Sequence, residues 1–142
     1  MKKTVKKETV MTVYNSLKGA LVGSLEDRDK FAVVRAMRVL KPLAVEMEEF
    51  VGDAREKLKP EGFDEAREKA RKFDSLPEQE KAELNALADA YNDSVARCVS
   101  EELGKEVELE LEPVGEEAVC VMGAASNFDI STIMTVQDVL CE

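Results

Sequence analysis

The chain has 142 residues, of which 44% are hydrophobic and 35% are charged, enough apolar material for one domain with a strongly polar surface. Thirty acidic residues against 20 basic ones give a net charge of -10, which argues against binding to nucleic acid or to anionic lipid. No apolar stretch approaches the ~20 residues of a membrane span, and no signal-peptide core follows the basic N-terminus. We therefore expect one domain over residues 1–142 in the cytoplasm.

Two helices are predicted in the first part of the chain. Residues 4–21 form an N-terminal helix, because apolar residues from Val10 to Leu21 recur at three- and four-residue steps. Ser24-Leu25-Glu26-Asp27 has the form of a capping box and predicts a long helix over residues 25–58. The apolar seam of this helix alternates steps of four and three residues: Val33, Met37, Leu40, Ala44, Met47, Val51, Ala54 and Leu58.

Two further features of this long helix are apolar residues beside its seam and a proline within it. Val34, Ala36, Leu43 and Phe50 are expected to lie beside the seam and to widen it, as suits a helix packed in a bundle. Pro42 interrupts the backbone hydrogen bonds, but the seam keeps its phase through it. We expect a continuous helix kinked at Pro42.

The middle of the chain is predicted to form a connecting helix and a second long helix. Lys59-Pro60-Glu61-Gly62 ends the first long helix, and residues 64–73 read as an exposed, charged connection. Ser75-Leu76-Pro77-Glu78 predicts the start of a helix over residues 76–103. Its apolar side is expected to carry Leu84, Leu87, Ala88, Tyr91, Val95, Cys98 and Val99. Two long helices of similar length predict an antiparallel hairpin.

Glutamate and apolar residues alternate over residues 106–112, which predicts a half-buried strand. Its glutamates could meet a basic partner, or its edge could pair with another chain; alternatively, their charges keep the edge from aggregating. We call these four residues the acidic strip: Glu106, Glu108, Glu110 and Glu112.

The C-terminal end, residues 116–140, is predicted to form two short helices, the second capped by Asp129. Residues 119–122 could instead form a strand beside residues 106–112, and helix is preferred. The predicted fold class is mainly α with minor β. It consists of an antiparallel long-helix hairpin or bundle, one short acidic β-strand or hairpin, and a small helical C-terminal end.

The sequence lacks the residues that most catalytic sites use. It contains no histidine and no phosphate-binding or nucleophile-elbow motif, and its three cysteines have neither disulfide nor zinc-site spacing. We predict no catalytic, cofactor-binding or metal-binding residue and no cofactor. One alternative remains, since two glutamate pairs at i,i+3 could bind Mg²⁺ in the manner of all-helical nucleotide hydrolases: Glu46, Glu49, Glu80 and Glu83. The other interpretation of these pairs is a solvated charged face.

Several short segments carry a resemblance over nearly the whole chain: Lys41-Pro42-Leu43-Ala44, Phe50, Arg55-Glu56-Lys57-Leu58, Glu101-Glu102-Leu103, Glu106-Val107-Glu108-Leu109-Glu110 and Asp129-Ile130-Ser131. With these segments the chain resembles a family of small uncharacterised proteins of tailed bacteriophages and prophages. The resemblance implies no catalytic residues, and it implies a setting among phage structural and assembly genes in a bacterial host.

Three functions are consistent with these features. The first is a non-enzymatic phage or prophage protein acting through protein–protein contacts, as an assembly factor or small accessory component. The second is the divalent-metal nucleotide hydrolase described above. The third is an acidic regulator that mimics nucleic acid. For the first function we expect a protein partner or self-association, without nucleic acid or membrane.

Overall fold

The computed structural model describes the whole chain, residues 1–142. In chain order its elements are β1 (Lys2–Lys6), α1 (Lys7–Lys18), α2 (Asp27–Lys57), α3 (Phe63–Ala70), a 3₁₀ turn (Phe73–Ser75), α4 (Glu78–Leu103), β2 (Glu106–Glu110), α5 (Glu116–Ala125) and α6 (Ile130–Leu140). The predicted fold class, mainly α with minor β, is confirmed. No helix combines the length and the hydrophobicity that a bilayer crossing requires.

The chain divides into two units. Unit 1 consists of Met1–Glu48 together with Leu103–Glu142, and unit 2 consists of Glu49–Glu102. The first boundary lies inside α2, which is continuous from Asp27 to Lys57. The prediction of a single domain did not include this division, because no linker or change of composition accompanies a boundary inside a helix.

Unit 1 contains the hydrophobic core. One face of α1 and the first half of the α2 seam meet apolar side chains from β2, α5 and α6. Its most completely buried large side chains are Leu40, Leu109, Met122, Leu140, Val10, Val13, Val119, Val136 and Val139. Burial of each such side chain contributes roughly 1.5–3 kcal/mol to folding. Residues 119–122 belong to α5, as preferred from the sequence.

The N-terminal segment forms a strand, so the helix predicted from residue 4 is wrong for residues 4–6. β1 pairs antiparallel with β2, and on one face the register places Lys2 opposite Glu110, Thr4 opposite Glu108, and Lys6 opposite Glu106, so two of the three pairs join opposite charges. Opposite charges directly across a ladder stabilise the pairing. The other face pairs Val5 with Val107, which pack against the core. Helix α1 then ends at Lys18, three residues before the predicted end.

Both long helices begin two residues later than predicted. α2 begins at Asp27, and Ser24 stays in the preceding turn because buried Leu25 is held there by a bond from its N–H to the Val22 carbonyl. α4 begins at Glu78, because the Ser75 hydroxyl donates backward to the Lys72 carbonyl at 2.8 Å and does not cap the helix ahead. Helix α2 continues through Pro42, and the kink at that residue stays a prediction.

The structure also gives the boundaries of α3, β2 and α6. Gly62 precedes α3 with φ 79°, a left-handed conformation that glycine adopts without strain. α3 spans Phe63–Ala70, so the last three residues of the predicted connecting helix, 71–73, lie outside it. β2 ends at Glu110, two residues before the predicted end of the strand. Asp129 caps α6 as predicted, since its side chain accepts the Thr132 N–H at 2.7 Å.

Unit 2 is built from the end of α2, α3, the 3₁₀ turn and α4. The Tyr91 hydroxyl donates to the Arg55 carbonyl at 2.7 Å, and the Tyr91 ring lies 4.7 Å from the Phe63 ring between centroids. Arg55 is in the last turn of α2, where carbonyls have no partner within the helix. A tyrosine from α4 therefore donates a hydrogen bond to one of the unpaired carbonyl groups at the end of α2.

Candidate functional site

The acidic strip is exposed, and cations of its own chain lie beside it. The Lys2 Nζ is 3.8 Å from Glu108 Oε1, and the amino group of Met1 is 3.9 Å from Glu110 Oε1. Farther along, Arg35 forms an ion pair with Glu112, and Lys6 stands opposite Glu106 in the ladder. These contacts lower the negative potential that the strip would have in isolation. Sequence reasoning missed them because it did not place a strand at the N-terminus, although the Lys-rich start complements the Glu-rich strand.

The four glutamates of the metal alternative belong to no cluster of three or more metal-ligating side chains. Glu46 and Glu49 are exposed on α2, while Glu80 and Glu83 line a hollow beside α3. Nowhere in residues 1–142 do three or more carboxylate, cysteine or histidine side chains stand close enough together to hold a metal ion. Lys69 lines the same hollow as Glu80 and Glu83.

The three cysteines are free and differ in exposure. Cys141 is buried in the core of unit 1, and burial, followed by the nearby Glu116 charge, raises the pKa of its thiol. Cys120 is exposed, and its sulfur accepts from Gln137 Nε2 at 3.4 Å. Cys98 is half-buried on α4. A raised thiol pKa lowers the fraction of reactive thiolate at neutral pH.

Helix α4 carries an apolar row that its own unit covers only in part. The row follows helical spacing, and every member is half-buried: Leu84, Leu87, Tyr91, Val95, Cys98 and Val99. Ala88, predicted on the same side, is exposed. No residue of α4 is buried, although the helix is 26 residues long. In the whole of Glu49–Glu102 the only buried apolar residue is Ala54.

Two hollows flank the place where α3 meets α4. Ala66, Leu84 and Leu87 belong to both. One hollow, of about 190 Å³, is lined mainly by apolar side chains, including Phe63 and Ala70. The other, of about 200 Å³, adds the charged residues Glu65, Lys69, Glu80 and Glu83. Leu84 and Leu87, the first two residues of the apolar row, therefore line a hollow on each side of α3.

A second apolar surface lies on α2, on the side opposite the core. Phe31 is 58% exposed, Val34 is 44% exposed and Val45 is 39% exposed. The prediction that Val34 widens the buried seam is wrong. It is one residue from buried Val33, and one residue turns the side chain by about 100° around a helix. We call this surface the outer face of α2: Phe31, Val34, Arg35, Arg38, Lys41 and Val45.

The outer face of α2 differs in charge from the rest of the chain. Residues 30–45 contain four cations and no carboxylate, in a chain with 30 acidic residues. At one end of the face a hollow of about 410 Å³ is lined by Phe31 together with Arg28, Arg35, Glu112 and Pro113. The arginine side chains therefore stand next to an exposed aromatic ring. In the sequence this combination is visible only as apolar and cationic residues on the polar side of α2, away from the seam.

Comparison with known proteins gives no family for this chain: no family model, no curated protein and no solved structure matches it. The resemblance to phage and prophage proteins therefore stays a prediction from the sequence.

Proposed function

We propose that this chain acts without catalysis, through contacts with other proteins, as an assembly factor or small accessory component of phage or prophage origin. The phage or prophage origin is supported by the resemblance of the sequence segments, and action through protein contacts is supported by the apolar row of α4. The chain also lacks histidine and the common nucleotide-binding motifs.

The observation that carries the proposal is the incomplete burial of α4. This helix has the apolar periodicity of a packed helix, yet none of its residues is buried. Half-buried Leu84 and Leu87 sit between two hollows and retain apolar area in contact with water. Covering that area removes it from water, which stabilises a complex by about 25 cal/mol for each Å² buried. Another protein of the same assembly supplies such a cover.

Site-specific photo-crosslinking tests the proposal. A photoreactive amino acid replaces Leu87, in the apolar row, and the variant is made in cells that carry the native gene. We expect covalent adducts on irradiation, and we expect mass spectrometry to identify virion or assembly proteins in them.

The matched control carries the same photoreactive group at Asp89, two residues away on α4 and exposed. This position faces away from the apolar row and should give few adducts. Equal labelling at both positions would mean random collision, and no adduct at Leu87 would contradict a protein contact there. An adduct at Leu87 that contains only metabolic enzymes would contradict the assembly role.

A further inference from the structure

The outer face of α2 has the composition of a protein-binding surface. Phe31, Val34 and Val45 expose apolar area, and Arg35 and Arg38 lie among them. Aromatic residues and arginine are the side chains most enriched where binding energy is concentrated. Positions 31, 34, 38, 41 and 45 repeat at steps of three and four residues, so they form one stripe along the helix. The stripe spans four turns, which matches the length of a docked helix.

The charge of this face selects the chemistry of its partner. Arg35, Arg38 and Lys41 lie among the apolar residues of the face, and no carboxylate lies within residues 30–45. A complementary surface therefore carries carboxylates beside apolar side chains. The chain itself provides a local example, because Arg35 already binds Glu112, a carboxylate that follows an alternating acidic and apolar segment.

Other anionic partners fit this face less well. Nucleic acid and anionic lipid are bound through many clustered cations, and the net charge of -10 repels both. Three exposed apolar side chains within the stripe also have no counterpart on a phosphate backbone. An amphipathic helix offers both carboxylates and apolar residues at matching spacing.

We infer that the outer face of α2 binds an acidic amphipathic helix of a partner protein. The inference rests on the proposed function in that both are protein contacts. The two surfaces share no residue, so the crosslinking test at Leu87 and the binding test below can fail separately.

Two synthetic amphipathic peptides of four helical turns test the inference with the full chain. Both carry leucine at the same positions; one has glutamate at the flanking positions and the other has lysine. Fluorescence anisotropy measures the binding of each at low and at high salt. We expect the glutamate peptide to bind at least about tenfold more tightly than the lysine peptide, and to weaken as salt screens the charges.

Charge reversal on the chain locates the binding. Arg38→Glu breaks no ion pair of this structure and should weaken binding of the glutamate peptide by about tenfold. Phe31→Ser should weaken it as well, since it removes the exposed ring. Arg97→Glu is the matched control, an exposed arginine on α4 that should leave the affinity unchanged. Circular dichroism confirms that each variant keeps its helix content.

Several results would overturn the inference. They are equal binding of the two peptides, no binding of either, or an affinity that Arg38→Glu leaves unchanged. Tighter Arg38-dependent binding of anionic vesicles or of single-stranded DNA would assign the face to lipid or to nucleic acid. Self-association that Arg38→Glu abolishes would assign it to a second copy of this chain.

Discussion

Helices α4 and α6 are both amphipathic, but their apolar residues meet different surroundings. In α6, Val136, Val139 and Leu140 are 0% exposed. In α4, which is more than twice as long, no residue is buried. α6 packs within a core to which segments from both ends of the chain contribute, whereas α4 has only α3 and the end of α2 within its own unit. Apolar periodicity thus identifies the inner side of a helix, but the number of neighbours decides how much of it is covered.

The largest expected effect comes from replacing a leucine with alanine in each unit. Leu140→Ala should lower the free energy of unfolding by about 2–5 kcal/mol, because it leaves a cavity in a packed core. Leu87→Ala should cost only about 1 kcal/mol, since its side chain is only partly buried. Urea denaturation followed by circular dichroism measures both. Equal losses would mean that unit 2 is packed as tightly as unit 1.

A second substitution tests the close packing of α5 on α6. A Cβ at Gly123 would lie 2.8 Å from Ile133 Cγ1 and 3.0 Å from Ile133 Cδ1, so Gly123→Ala forces the Ile133 side chain to move. We expect a loss of about 1–3 kcal/mol in the free energy of unfolding. Gly52→Ala is the control: nothing lies within 4 Å of its Cβ position inside α2, and it should gain about 0.5–1 kcal/mol. A neutral Gly123→Ala would show that α5 and α6 have room to separate.

In unit 2 one side-chain hydrogen bond joins α4 to the end of α2. Tyr91→Phe keeps the ring on Phe63 but leaves the Arg55 carbonyl without its donor, and should lower the free energy of unfolding by about 0.5–1.5 kcal/mol. Thermal unfolding measures the change. Tyr14→Phe in unit 1 is the matched control and should change little, because no hydrogen bond of the Tyr14 hydroxyl is present. A harmless Tyr91→Phe would show that water serves the carbonyl equally well.

The smallest expected effect concerns the cap of α6. Hydrogen bonding to the Thr132 side chain, and then to its backbone N–H, lowers the pKa of Asp129 from its ordinary value of 3.8. The carboxylate therefore stabilises the fold above that value, and the contribution is lost as pH falls through the lower pKa of the folded state. Asp129→Ala should lower Tm at neutral pH, and the difference from the native chain should shrink below pH 3.8. Thermal melts across this pH range measure it, and a difference independent of pH would contradict the role of the charge.

The sequence predicted the elements whose signals are local. Five residues of the predicted α2 seam are buried (Val33, Leu40, Ala44, Met47 and Ala54), whereas Met37 and Val51 are partly buried and Leu58 is exposed. Asp129 caps α6, and the Glu-rich segment forms a strand. β1 could not be predicted in the same way, because its short lysine-rich segment becomes a strand only through a partner about 100 residues away. The cations beside the acidic strip were missed for the same reason.

The two apolar surfaces, on α4 and on α2, could likewise be predicted only as far as local signals allowed. Periodicity predicted which residues of α4 face inward, but burial depends on neighbours that no spacing within the helix reveals. The outer face of α2 was not predicted, because a search for the core follows the apolar seam and ignores apolar residues on the polar side of the helix. The division into two units left no sequence signal, because it falls within one unbroken helix.

The order of the two units along the chain has a consequence for synthesis. Unit 2 is one continuous segment, whereas unit 1 is made of an early and a late segment. A ribosome adds roughly 5–20 residues per second, so β1 waits for several seconds before β2 emerges. During this interval the lysine-rich strand and the apolar face of α1 have no final partner, while unit 2 can already form its local contacts. Unit 1 therefore cannot complete its fold until β2 and the residues after it have been made, because β1 pairs with β2 across about 100 residues.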